Sequence, residues 1–376
     1  MAALSTNLVN VSAPAMARDL GLSPGQISRI LTVYLLAITV LLPLFGYLGD
    51  RFGAKKVFVT GFATFGIASL FCARAGGITA LTIARGFQGA GASMLMATGA
   101  ALITRAFPAS HRARALGLQL SLTYVGLVLG PTVGGILVGA VGWRAIFVLL
   151  AAVACTGTLL GTFWLENESR IEPARARPLS PFPLALFRDT SFTLSIAGAL
   201  VLYATTFMIS FSLPFQLQHA RGLSPREAGL LMTPQPAVMA VVAPLGGWLA
   251  DRFGPRTPCA VGMFAVAGGC LLLTHASNGN ALAIMSVLAL IGLGAGMFIA
   301  PNNASIMGAA PKERQGAAAA AAAMARNIGM TCGVALAASL LQRTGEFRAV
   351  MMACATLALV GAGLASAPRS WTESKL

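Results

Sequence analysis

The sequence predicts an all-α membrane protein: twelve transmembrane helices in two pseudo-symmetric six-helix bundles. Three observations predict it. The 376 residues are 56% hydrophobic and only 10% charged, with a mean hydropathy of +0.78, whereas a soluble chain carries about a quarter charged residues. Apolar runs of about 20 residues, long enough to cross a hydrocarbon core of roughly 30 Å, recur along the chain. Polar signatures of the first half also return in register in the second.

The apolar runs lie at about 1–17, 27–49, 57–74, 78–105, 114–140, 143–165, 191–215, 227–250, 257–275, 279–308, 314–341 and 347–367. They are continuous rather than alternating, so they read as helices and not as barrel strands. Only those two structures satisfy the backbone in lipid. The first run is the weakest. Met1 to Met16 gives about 24 Å of helix at 1.5 Å per residue, and Ser5, Thr6, Asn7, Asn10 and Ser12 are polar. The expectation is that the true start lies upstream or that this span is truncated. The stretch 166–190 holds eight charged residues and four prolines and reads as a linker. It separates an N-terminal bundle, 1–165, from a C-terminal bundle, 191–376.

The halves repeat at a spacing of 201 positions. Gly21-Leu22-Ser23-Pro24 returns as Gly222-Leu223-Ser224-Pro225, Pro43 as Pro244, and Gly46 to Gly53 as Gly247 to Gly254, ending in both copies with Asp-Arg-Phe-Gly. Shared apolar composition does not reproduce polar residues in register. Ser23 with Pro24 and Gln26 forms the start signal of a helix, and Ser224, Pro225 and Glu227 repeat it.

The net charge of +15 does not imply nucleic acid, because the basic residues sit in short loops with no aromatic interleaving. Counting Lys and Arg with residue 1 inside puts sixteen in the inner loops and tail and eight in the outer loops. Both termini are therefore expected on the cytoplasmic side. The six cysteines lie in apolar runs without metal-ligand spacing, so no metal or disulfide framework is implied. All eleven acids fall at span ends or in loops.

Four motifs carry chemistry. Gly46-Tyr47-Leu48-Gly49-Asp50-Arg51-Phe52-Gly53-Ala54-Lys55-Lys56 joins spans 2 and 3. Its glycines permit a tight turn, and Asp50 can accept from an arginine or a helix N-terminus. Arg85 in span 4 is an arginine in an apolar helix, costly unless it faces a cavity or a partner, with Gln88 one turn on. Span 5 holds Gly126-x-x-x-Gly130-Pro131-x-x-Gly134-Gly135, in which small residues allow close packing and proline bends the helix. Pro301-Asn302-Asn303 in span 10 and Arg326-Asn327 in span 11 are polar groups expected to face a cavity or a neighbouring helix.

These motifs resemble the major facilitator superfamily over essentially the whole chain, and most closely its drug:proton antiporter branches. The resemblance implies the major facilitator fold. It also implies a gating loop at Gly46, Asp50, Arg51, Gly53, Lys55 and Lys56, echoed by Asp251 and Arg252, and proton transfer at Arg85. In span 5 it implies an antiporter motif; Trp143-Arg144 and Phe147 also fit the exporter pattern. Two features depart from the family. The larger exporter branch has two further spans between its halves, for which 166–190 leaves no room. Its first-span motif resembles Leu4 to Pro14, but Ser5 stands where the family has an acid.

The implied function is a secondary active transporter, drug-efflux-like, exporting amphipathic or hydrophobic small molecules by alternating access. Its setting would be a bacterial inner membrane. Candidate substrate or coupling residues are Asn10, Arg85, Gln88, Tyr124, Asn302, Asn303 and Arg326. An uncharged substrate suits a cavity poor in acids; an anion suits Arg85 and Arg326. The expected partners are a small-molecule substrate, the lipid bilayer and the proton as coupling ion, with no cofactor. Uptake or uniport of a small solute remains the rival transport reading, and a non-transporting, receptor-like relative the rival from another class. No P-loop, His-Glu-x-x-His or nucleophile-elbow motif points to an enzyme.

Overall fold

The computed structural model describes residues 1–107, 109–165, 184–277, 279–311 and 314–367. They form α1 (Ala2–Leu20), α2 (Pro24–Phe52), α3 (Ala54–Arg74), α4 (Ile78–Ala106), α5 (Ala109–Val141), α6 (Arg144–Trp164), α7 (Thr190–Phe215), α8 (Pro225–Met232), α9 (Pro234–Phe253), α10 (Arg256–Ala276), α11 (Ala281–Gly308), α12 (Gln315–Thr344) and α13 (Phe347–Ser366). No strand occurs among the described residues. The expected linker falls largely outside them; of it, Leu184–Arg188 makes a 3-10 turn and Asp189 caps α7.

Local chemistry sets the helix boundaries, and it does so twice. Ser23 Oγ accepts from the Gln26 N–H at 3.3 Å while Gln26 Oε1 accepts from the Ser23 N–H at 2.9 Å. Ser224 and Glu227 form the same reciprocal pair at 3.3 and 2.8 Å. The glycines at matching positions also share a conformation. Gly21 and Gly222 have φ of 63° and 67°, and Gly53 and Gly254 have φ of 99° and 76°. A side chain at such angles is strained, which is why glycine recurs there. The segment 225–253 thus repeats 24–52, with one difference. The expected single span 227–250 lies within one membrane-length stretch, Pro225–Phe253, whose helix is broken by a turn at Thr233, because Pro234 and Pro236 supply no backbone N–H.

Two compact units emerge. One comprises Met1–Leu179 with Gly222–Leu230; the other comprises Ser180–Arg221 with Leu231–Leu376. In the first, α1 packs on α5, α2 and α3 on α4, and α3 on α6. In the second, α7 packs on α12, α9 and α10 on α11, and α10 on α13. Glycines bring the helix axes together. A Cβ at Gly91 of α4 would lie 2.6 Å from the Phe65 nitrogen of α3, and one at Gly262 of α10 would lie 2.5 Å from the Gly294 carbonyl of α11.

Among the described residues nine helices are long and apolar enough to cross a membrane. That is fewer than the twelve spans the sequence suggests. The three that fall short are α1, α4 and α5, of which only Val125–Val141 counts as a shorter apolar helix. The reason in α1 and α4 is chemical: Ser5, Thr6, Asn7, Asn10 and Ser12 lower the hydropathy of the first, and Arg85 and Gln88 that of the second.

The conformation of Gly53 makes a testable demand. Gly53→Ala should cost about 1–3 kcal/mol of stability, the strain of a side chain at positive φ. Gly46→Ala, a site with no neighbour within 4 Å, should cost almost nothing. Thermal melting of the purified variants in detergent separates them; equal melting temperatures would refute the strain.

Candidate functional site

The most unusual side chain in the first unit is Arg85. It projects from α4 and is 0% exposed. Its Nη1 donates to Ser5 Oγ of α1 at 3.3 Å and to Gln88 Oε1, a short bond. Its Cζ lies 3.9 Å from the centre of the Tyr34 ring of α2. Gln88, also fully buried, donates through Nε2 to Ser69 Oγ of α3 at 2.7 Å, and Ser69 donates to the Phe65 carbonyl. Three helices therefore meet at one guanidinium, and a fourth, α3, is joined to it through Gln88. Its Nε and Nη2 have no hydrogen-bond partner in the protein. A charged side chain at the centre of a membrane helix costs about 2.5–3.5 kcal/mol even by the mildest scale. Asn10 of α1, 2% exposed, likewise has both amide atoms unpartnered.

The span-5 motif packs α5 against α1. A Cβ at Gly130 would lie 2.5 Å from Asn7 Cβ, and one at Gly134 would lie 3.3 Å from Leu8 Cδ2. Asn7 Nδ2 donates to the Leu127 carbonyl at 3.2 Å. On another side, Gly135 and Pro131 pack on Pro225 and Gly229 too closely for any side chain, which places Gly222–Leu230 in the first unit. Gly126 faces Leu4. The Tyr124 side chain lies outside the described residues.

The junction of α2 and α3 is built around its cations. Asp50 and Arg51 are exposed; Arg51 donates to the Tyr47 hydroxyl at 3.3 Å and lies 5.4 Å from the Phe52 ring. Lys55 Nζ donates to the carbonyls of Thr162, at 3.2 Å, and Leu165 at the end of α6. A cation there complements the negative end of the helix dipole. Lys56 is exposed. The second copy keeps the pattern: Asp251 is exposed, and Arg252 lies 5.9 Å from the Trp248 ring and 5.6 Å from that of Phe253.

At the opposite end of α1, Asp19 Oδ2 accepts from Trp143 Nε1 at 2.9 Å and from Arg144 Nη1 at 2.6 Å. Arg144 also donates to the Ala75 carbonyl at 3.3 Å. This ties the end of α1 to the start of α6, beside an open cavity of about 640 Å³ lined also by Val138, Gly139 and Pro225.

In the second unit Asn302 of α11 is buried and donates to the Ser195 carbonyl of α7 at 3.0 Å. Ser195 Oγ and Asn327 Nδ2, both buried, have no partner. Asn303 is exposed and Arg326 partly buried. Within the first unit the structure joins Arg85 to Gln88. Tyr34, Ser69, Ser195 and Asp19 were missed by sequence reasoning. Tyr34, in the middle of the largely aliphatic run 27–49, was the one visible hint.

Comparison with known proteins agrees with this architecture. The family profile described as Major Facilitator Superfamily matches residues 1–330 and 195–374. The riboflavin transporter RibZ of Clostridioides difficile (strain 630) is 29% identical over 388 residues, covering 90% of this chain and 85% of that protein. The uncharacterized transporter YebQ of Escherichia coli (strain K12) is 30% identical over 418 residues, covering 96% and 91%. The multidrug resistance protein Stp of Mycobacterium tuberculosis (strain CDC 1551 / Oshkosh) is 30% identical over 393 residues, covering 90% and 73%.

The Asp19 link predicts an acid-sensitive contact. The Trp143 indole and the Arg144 guanidinium hold the Asp19 carboxyl below the usual carboxylate range. A pKa lowered by folding adds stability above the unfolded value, and that stability is lost as pH falls through the folded value. Below about pH 4, the ordinary range for Asp, the melting temperature of the native protein should therefore fall more than that of Asp19→Asn. The difference should be small, since the pair is exposed. Parallel acid profiles for the two proteins would show that the link adds nothing.

Proposed function

The chain belongs to the Major Facilitator Superfamily, and from that membership we propose that this multi-pass membrane transporter is an exporter of amphipathic or hydrophobic small molecules. It has twelve spans in two six-helix bundles, both termini on the cytoplasmic side of a bacterial inner membrane, and works by alternating access. The observation that carries export is the glycine-and-proline face of α5, where Gly130 and Gly135 admit no side chain against their neighbours and Gly134 is packed tightly on Leu8. Such contact allows a bent helix to seal or release a path without side-chain rearrangement. The multidrug resistance protein Stp among its relatives supports the same direction.

Uptake is the second reading, and a specific observation favours it. Ser5 stands beside Arg85 where the exporter motif has an acid. Every described carboxylate, at Asp19, Asp50, Asp189, Glu227, Asp251 and Glu346, is exposed. A proton bound at mid-membrane needs a buried titrating group, and arginine does not deprotonate. Proton coupling is therefore weak in this proposal, and flux runs mainly downhill. The relative named as a riboflavin transporter fits either direction.

Flux of labelled amphiphiles in proteoliposomes of defined orientation, with and without a pH gradient, tests the proposal. Outward movement that responds weakly to the gradient is expected. Strong proton-driven accumulation would overturn the weak coupling, and strictly inward movement would overturn export.

Asp50 serves as one half of a gating clasp that holds a single conformation. Asp50→Asn should then reduce flux at least tenfold, about 1.4 kcal/mol, with substrate binding in detergent largely retained. Asp251→Asn should be milder, because Lys56 of the first copy corresponds to Thr257 of the second. Undiminished flux in Asp50→Asn would remove the clasp from the mechanism.

A further inference from the structure

The guanidinium of Arg85 is a buried positive charge with no buried negative partner. Its contacts are all formally neutral: Ser5 Oγ, Gln88 Oε1 and the face of the Tyr34 ring. The described carboxylates are all exposed. The charge itself persists at any accessible pH. Burying it without a counter-ion is the costly case, because desolvation is then uncompensated.

Which of its nitrogens are occupied decides what is missing. Nη1 is the donor to Ser5 and Gln88, and Tyr34 covers the flat face. Nε and Nη2 are both unpartnered. Those two nitrogens form the side-on fork of a guanidinium, the edge that takes a carboxylate through two parallel hydrogen bonds. A neutral molecule would leave the charge uncompensated, and a cation would add to it.

We propose that the Arg85 fork is the receptor for the carboxylate of an anionic amphiphile, so that the transported molecule supplies the missing counter-charge. This rests on the transport reading above and narrows its substrate class. The apolar body of the substrate accounts for the scarcity of other polar contacts, and the single negative charge matches a single cation. Ser5 acquires a role as well. An acid there would neutralise the guanidinium from its Nη1 edge, whereas a hydroxyl leaves the charge for the substrate to balance. Tyr34 and Gln88 act as positioning residues that fix the plane of the guanidinium.

Two matched fluorescent probes test this, a dansyl amphiphile ending in a carboxylate and the same molecule ending in a primary amide. In chloride-free buffer at pH 7 the carboxylate should raise the melting temperature of the purified native protein and the amide should not. In proteoliposomes the carboxylate should move at least about tenfold faster, the factor of 1.4 kcal/mol in binding. Arg85→Gln should abolish the preference. Ser5→Asp keeps the arginine and supplies its counter-charge at Nη1, so it should abolish the carboxylate's stabilising effect even if Arg85→Gln does not fold. A native protein stabilised equally by both probes, or by neither, overturns the proposal. So does a carboxylate effect that survives in Ser5→Asp, or one that chloride reproduces at equal concentration. Flux of the amide alone would overturn the anionic substrate and leave export standing. Carboxylate binding without flux of any probe would overturn export and leave the fork standing.

Discussion

Hydrocarbon offers no hydrogen bonds, and the rest of this structure follows from that constraint. Each backbone N–H and C=O needs a partner within its own segment, so the described chain is helical nearly throughout. Side chains face the same demand. Thr39, Ser69, Thr205 and Ser212 meet it locally, each donating to a carbonyl one turn back. Asn302 meets it across helices, on the Ser195 carbonyl. Arg85 meets it only in part. Beside these satisfied groups, Asn10, Arg85, Ser93, Ser195 and Asn327 keep buried polar atoms without a partner, and among them Arg85 alone carries a charge.

The same constraint explains the glycines. Lipid tails are as apolar as leucine side chains, so helix association in the bilayer gains from close contact rather than from hydrophobicity. Gly91 against Phe65, Gly130 against Asn7, and Gly262 against Gly294 let neighbouring backbones nearly touch. Close contact in turn permits an inter-helix bond such as Asn7 to the Leu127 carbonyl, and it lets α1 deliver Ser5 to the arginine of α4. Packing and site chemistry are thus linked through α1.

Much of this was legible in the sequence wherever the cause is local. The helix starts at Ser23 and Ser224, the stops at Gly53 and Gly254, and the pairing of Arg85 with Gln88 involve residues within a turn of one another. What escaped depends on contacts between distant segments. Nothing near Asp19 announces that Trp143 and Arg144 will donate to it, and nothing near Lys55 announces the carbonyls of Thr162 and Leu165. The stacking of Tyr34 on Arg85 is of the same kind. The break at Thr233 is different. Its cause, Pro234 and Pro236, was in plain view, and the apolar run continues through it, so Pro225–Phe253 is still long and apolar enough to cross a membrane as one span.

The internal repeat sharpens the case that Arg85 is functional. Features that serve folding recur in both copies: the reciprocal caps, the left-handed glycines, and the arginine stacked on aromatic rings after Asp50 and Asp251. Selection for stability alone would act on both copies alike. Yet α11, which packs on α9 and α10 as α4 packs on α2 and α3, contains no charged residue from Ala281 to Gly308. The second copy shows that this helix position folds well without an arginine. A buried cation kept in one copy and dispensed with in the other is an expense the fold does not require. That asymmetry favours a substrate-facing role for Arg85 over a structural one.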